Sequence, residues 1–152
     1  MTQRAVITDE VSLREVIGEP LPITPTKITD RLNDLTRQFV EASPLVCLST
    51  SAADGSCDVT PRGDPPGFVR NLDEKTLLMP ERPGNRLADA LRNILENPHV
   101  GLLFLVPGVT ETFRVNGQAQ IVTDGELLEP SAVDGKVPTL GLLISIDEAY
   151  TQ

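Results

Sequence analysis

Apolar positions recur with two periods along this chain, and the switches between them mark out its elements. Ser12 to Ile17 reads as a short helix stopped by Gly18. The segment Glu19–Pro25 runs extended, because a residue that precedes proline avoids helix. Thr26 is then placed to cap a helix to about Glu41, with Ile28, Leu32, Leu35 and Phe39 stepping by four, three and four along one face. Ser43-Pro44 ends it. The period then changes to that of strands. Leu45 to Thr50 is a continuous apolar run, Ala53-Asp54-Gly55 is a turn, and Cys57 to Thr60 is a second strand. Phe68 to Leu72 and Thr76 to Met79 form another hairpin around Asp73-Glu74-Lys75. After Gly84 a helical face returns with Leu87, Leu91, Ile94 and Leu95, closed by Asn97-Pro98.

Val100 to Val106 is the most apolar run. Pro107-Gly108 turns it into a long strand, Thr110 to Val122, in which Phe113, Val115 and Gly117 alternate with Thr112, Arg114 and Asn116. Leu127 to Pro138 reads as short helix or loop, and Leu140 to Ile146 as a last strand. Seven strands tied by hairpins rather than by parallel crossovers predict a mainly β fold, an antiparallel barrel with inserted helices. Residues 1–152 are expected to be one domain, with a helical segment over 1–42 and the barrel over 43–147.

Composition narrows the classes. A chain of 152 residues is long enough for a real core, and with four Phe, one Tyr and no Trp that core must rest on Leu, Val and Ile. The net charge of −9 argues against nucleic acid and anionic membranes as partners. Its distribution is uneven. From Pro61 to Val100 six basic residues balance six acidic ones, so the whole acidic excess lies elsewhere. No apolar run is long enough to span a membrane, and the acidic N-terminus does not read as a signal peptide. The hairpin around Asp54-Gly55 sets Cys47 opposite position 61 or 62 and Cys57 opposite 51 or 52. That separation predicts free thiols and a cytoplasmic setting, with Cys47 in the core. A single histidine and the lack of a CxxC pair argue against zinc.

The chemistry-bearing residues gather in two clusters. The first is Thr60-Pro61-Arg62-Gly63-Asp64-Pro65-Pro66-Gly67, and the second is Glu81-Arg82-Pro83-Gly84-Asn85-Arg86, which leads into a helix. Proline and glycine make both segments irregular and rigid, and arginine suits bidentate contact with phosphate. A helix start adds free N–H groups and a favourable dipole. The pair reads as a site for a small phosphate-bearing ligand; the plainer alternative is polar turns with solvated arginines. Asp64 is placed to hold its loop through an ion pair with Arg62. No GxGxxG or GxxxxGK pattern occurs, and His99 has no partner for acid–base work. An enzyme built on these residues needs a cofactor as its reactive centre.

The stretch from Ser43 to Ile121 resembles the pyridoxamine 5'-phosphate oxidase-like, FMN-binding split-barrel flavoproteins, and within them a branch of FMN-dependent enzymes with largely unassigned substrates. The residues that carry the likeness are Ser43-Pro44-Leu45-Val46, Asp58 to Phe68, Arg82 to Arg86, Leu91 to Gly101, Pro107-Gly108 and Arg114-Val115-Asn116-Gly117. The resemblance implies a homodimer of six-stranded split barrels with FMN where the subunits meet. By position, Asn85 and Arg86 hold the phosphate at a helix N-terminus, and Arg62 or Arg82 adds charge. Backbone groups of Arg62, Gly63, Met79 and Pro80 face the ring and ribityl chain, Asp64 belongs to the same loop, and Thr112 and Arg114 reach the cofactor of the same or the partner subunit from the long strand. Related sequences continue past Ala149-Tyr150 into a segment with a His-Cys-Ala-Lys-Ala run and a Trp, which closes the far side of the active site. This sequence ends at Gln152 before it, so FMN binding is expected without that wall. The implied activity is hydride transfer through flavin N5 to or from a small-molecule substrate or a nicotinamide cofactor. A flavin carrier or sensor module, or a split barrel that binds F420 or haem, are the alternatives.

Overall fold

The structure is a computed structural model that describes residues 5–22, 27–84 and 86–152. Among these, seven strands form one antiparallel sheet. They are β1 (Leu45–Ser51), β2 (Cys57–Gly63), β3 (Arg70–Asn71), β4 (Thr76–Pro80), β5 (His99–Leu105), β6 (Phe113–Val122) and β7 (Gly141–Thr151), in the order β2-β1-β5-β6-β7-β4-β3. The sheet curls into a split barrel, antiparallel as the strand pattern predicts and split as the resemblance implies. The resemblance implies six strands; the seventh is the two-residue β3 at one edge. The helices are α1 (Glu10–Ile17), α2 (Asp34–Ala42), α3 (Asp89–Glu96) and α4 (Gly125–Leu128), the last followed by a 3₁₀ turn over Glu129–Ser131.

Alternation builds the core. Val46 and Leu48 on β1, Leu102 and Phe104 on β5, and Phe113 and Val115 on β6 are all buried. The Phe104 and Phe113 rings lie 5.7 Å apart between centroids, a tilted pair at the barrel centre. Ala90 and Ile94 of α3 and Val40 of α2 close the same core.

Several boundaries differ from the sequence pattern, each for a local reason. The helix expected from Thr26 starts instead at Asp34, because the Asn33 side chain accepts from the Thr36 N–H and Thr36 Oγ1 accepts from the Asn33 N–H. Thr26 itself lies outside the described residues. Upstream, Thr29 exchanges backbone hydrogen bonds with Ala149 and so is extended, which leaves Ile28 exposed while Leu32 is buried. Strand β2 continues through Gly63 rather than ending at Thr60. It is an edge strand, so the missing N–H of Pro61 leaves no ladder bond unmade. Strand β7 reaches Thr151, well past Ile146, because it pairs with β6 along that strand's whole length.

Helix α3 begins at Asp89 and not directly after Gly84, since Arg86 and Ala88 adopt left-handed conformations with φ of 64° and 57°. Leu87 and Leu95 are consequently exposed, and Ala90 and Ile94 form the buried face. The cysteine registers are as expected, Cys47 opposite Pro61 and Cys57 opposite Ser51, with both thiols free. Cys47 is half-buried rather than a core residue, because it alternates with the inward-facing Val46 and Leu48. Among the described residues no helix is long and apolar enough to cross a membrane.

Candidate functional site

The two arginine-bearing segments converge. The end of β2 and the chain after β4 face the start of α3 across a cleft of about 540 Å³. Arg62 is brought there by its register opposite Val46, which aligns it with the inward side of the sheet. Its Nε donates to Glu81 Oε1 at 2.9 Å, and its Nη1 donates to Thr60 Oγ1 at 2.9 Å. Arg82 Nε donates to Asp64 Oδ2 at 2.6 Å. Each segment therefore supplies one guanidinium and one carboxylate to the other. Asp64 pairs across the cleft with Arg82, not within its own loop with Arg62.

Both ion pairs are largely withdrawn from water: side-chain exposures are 21% and 13% for Arg62 and Glu81, and 30% and 13% for Arg82 and Asp64. They tie edge strand β2 to the chain leaving β4, across the mouth of the barrel. Arg86 differs. It lines the same cleft, is exposed, and among the described residues makes no ion pair. Nearby, α3 opens on Ala88 with no side-chain cap, so its first amide N–H groups have no side-chain acceptor, and Asp89 and Ala90 line the cleft.

The cleft thus gathers Arg62, Gly63, Asp64, Pro80, Arg82 and Arg86 of the residues singled out in the sequence. Met79 is fully buried, does not line the cleft, and is paired with Leu142. Thr112 and Arg114 lie away from the cleft. Thr112 exchanges backbone hydrogen bonds with Gln152, while Arg114 Nη1 donates to the Tyr150 hydroxyl at 2.7 Å with the guanidinium 5.4 Å from the ring centroid. Asn85 lies outside the described residues. Asp58, Glu81 and Asp89 are charged lining residues to which sequence reasoning gave no role. Glu81 had a signal, an acid beside the arginine of the second cluster as Asp64 is the acid of the first. With Asp58, Asp64, Glu81 and Asp89 against Arg62, Arg82 and Arg86, the cleft carries no excess of positive charge. Any anion it holds must be gripped locally by donors, not drawn by a broad field.

A family model described as pyridoxamine 5'-phosphate oxidase matches residues 32–144. Among solved structures, HupZ of Group A Streptococcus is similar at 19% identity, with 79% of this chain and 93% of that chain covered and a TM-score of 0.63. A candidate pyridoxamine 5'-phosphate oxidase of Lactobacillus delbrueckii is 22% identical, with 80% and 95% covered and a TM-score of 0.61. An FAD-binding protein of Mesorhizobium loti is 17% identical, with 82% and 96% covered and a TM-score of 0.52. At these identities the likenesses speak to the fold. No curated protein matches the chain. The family match covers most of the sequence, including both arginine-bearing segments: the chain belongs to the pyridoxamine 5'-phosphate oxidase family.

Proposed function

We propose that the cleft between β2, the chain after β4 and the start of α3 holds flavin mononucleotide, and that the protein is an FMN-dependent oxidoreductase. The observation that carries this reading is the convergence of Arg62, Arg82 and Arg86 on one cleft large enough for a cofactor. The FAD-binding protein of the same fold supports a flavin there. Bound flavin would supply hydride transfer at its N5. The chain's own residues bind and orient. Arg86 and the uncapped amides at the start of α3 take the phosphate, Asn85 being the adjoining residue of the same segment. The Arg62–Glu81 and Arg82–Asp64 pairs fix the two walls, and Gly63 and Pro80 offer backbone against the ring and ribityl chain. The substrate is a small organic molecule or a nicotinamide cofactor.

A second copy of the chain is the partner this reading calls for. Val59 on the outer side of β2 is 67% exposed, and Leu45 and Leu105, paired where the neighbouring strands β1 and β5 meet at their ends, have incompletely covered side chains. Such a surface suits burial against a like surface. Arg114 and Thr112, which miss the cleft of their own chain, would contribute to the partner's site.

The visible spectrum of the purified protein with added FMN, followed by NADH and NADPH oxidation, tests the function. A bound-flavin band with turnover is expected. No flavin at saturating FMN rejects the reading, and a flavin band that stays inert reduces it to a carrier. Light scattering tests the dimer.

A further inference from the structure

Beside the large cleft lies a second cavity of about 150 Å³, and Asp64, Phe68 and Arg82 line both. Pro65, Pro66 and Pro130, with Ala132 and Val133, give the side cavity apolar walls; Arg70 and Ser131 add polar groups. Ser131 is 93% buried by the 7% exposure of its surface, and its hydroxyl makes no hydrogen bond among the described residues. That hydroxyl is closed off from the recess, so it belongs to the packed wall and is not a contact that a ligand in the recess reaches. The two guanidinium groups are also underused. Arg70 spends Nη1 on the Leu127 carbonyl at 2.9 Å, and Arg82 spends Nε on Asp64. Their other N–H groups have no partner among the described residues.

We propose that this side cavity is a subsite for the carboxylate of a small organic acid, held by Arg70 and Arg82. Two guanidinium groups against the single Asp64 carboxylate leave the recess with one positive charge to balance. Its size is about five times a water molecule's share of the liquid, ~30 Å³, and lies below the range of drug-sized pockets. That space admits a chain of a few carbons, and the proline-lined wall favours a hydrocarbon stem over a hydrated phosphate. Its role as the anchor of a substrate beside the cofactor rests on the flavin reading of the large cleft; binding of the acid does not.

The test titrates the full chain with sodium propionate and separately with propionamide, which has the same shape without the charge, in the presence and absence of saturating FMN. Amide NMR shifts of Gly67, Ser131, Ala132 and Val133 report binding. Propionate should give saturable shifts and propionamide none. Arg70→Gln should weaken propionate binding at least tenfold and Ser131→Ala should leave it nearly unchanged, with the remaining amide spectrum unchanged. Equal responses to both probes, or unchanged propionate affinity in Arg70→Gln, overturn the subsite and leave a water-filled recess. A propionate response without FMN binding keeps the subsite and sinks the flavin reading; FMN binding without it sinks the subsite alone.

Discussion

Arg62 and Glu81 are joined at 2.9 Å across the open side of the barrel, the first from edge strand β2 and the second from the chain just past β4. Nineteen residues apart in sequence, they belong to the two segments that wall the cleft, and the Arg82–Asp64 pair repeats the link in the opposite sense. This relationship gives the arginines a structural task that competes with anion binding. A guanidinium already bonded through Nε to a carboxylate is better placed than a solvated one, yet its charge is partly cancelled.

Glu81→Gln separates these two effects. It keeps the side-chain shape but leaves the mostly buried Arg62 guanidinium without its carboxylate. Stability should fall by about 1–3 kcal/mol, read as a lower urea midpoint with unchanged slope. Cancellation also ends, so FMN should bind about two- to tenfold more tightly, a gain within a charge-assisted contact's range. Opposite signs are the signature. If stability and FMN affinity fall together, the loss of wall positioning outweighs the released charge.

Arg86→Ala should act in the other direction. Arg86 is exposed and makes no ion pair among the described residues, and its φ of 64° is as unfavourable for alanine as for arginine. Folding stability should therefore stay nearly unchanged. FMN binding, followed by quenching of flavin fluorescence, should weaken by about 1.5–3 kcal/mol, roughly ten- to 150-fold. Little change would move the phosphate elsewhere in the cleft.

The strand pattern and the shared cleft were legible because both rest on local rules. Alternation through Phe113, Val115 and Gly117 gives the inward face of β6, and the proline- and glycine-set arginines mark irregular, polar walls. The helix starts were not. Periodicity through Ile28 and Leu32 is real, but those residues are spent on extended chain held by Ala149 and Glu74, partners more than 40 positions away. Likewise Leu87 continues the spacing of α3 while the left-handed Arg86 and Ala88 exclude it from the helix. The crossed ion pairs are a tertiary fact too: nothing local favours Arg82 over Arg62 as the partner of Asp64.

Gly117→Ala tests the register of the long hairpin. The β6–β7 ladder shifts between Asn116 and Gly117, and a Cβ built at Gly117 would collide with the Ser145 carbonyl oxygen. Backbone on the neighbouring strand cannot swing away as a side chain can, so the substitution should cost about 2–4 kcal/mol. Gly101→Ala is the control. Its Cβ would meet Asn116 Oδ1 at 3.5 Å and Ser49 Cβ at 3.7 Å, ordinary contacts, and should cost less than about 1 kcal/mol. Thermal unfolding of the two variants decides; equal losses would refute the bulge as the cause.

Asp30 predicts an acid limit to stability. Its carboxylate takes hydrogen bonds from Arg31 Nε at 2.9 Å and Lys75 Nζ at 2.6 Å, and Arg31 also pairs with Glu74 at 3.1 Å, so residues 29–32 are clamped to the turn before β4. The Arg31 bond first, and then the Lys75 bond, hold the Asp30 pKa far below the usual carboxylate range. Because the folded value is depressed, the unfolded chain takes up its proton first, near pH 4, and folding stability must fall as pH drops from there through the folded value. Asp73, lowered chiefly by the Lys75 backbone N–H, adds to the same slope. Asp30→Asn should therefore lower Tm by a constant amount above about pH 5, and the difference from the parent should shrink steadily towards pH 2. High salt should reduce that difference, since these groups are exposed. A gap that persists undiminished to pH 2 would mean that the clamp holds through packing and backbone bonds, with the Asp30 charge incidental.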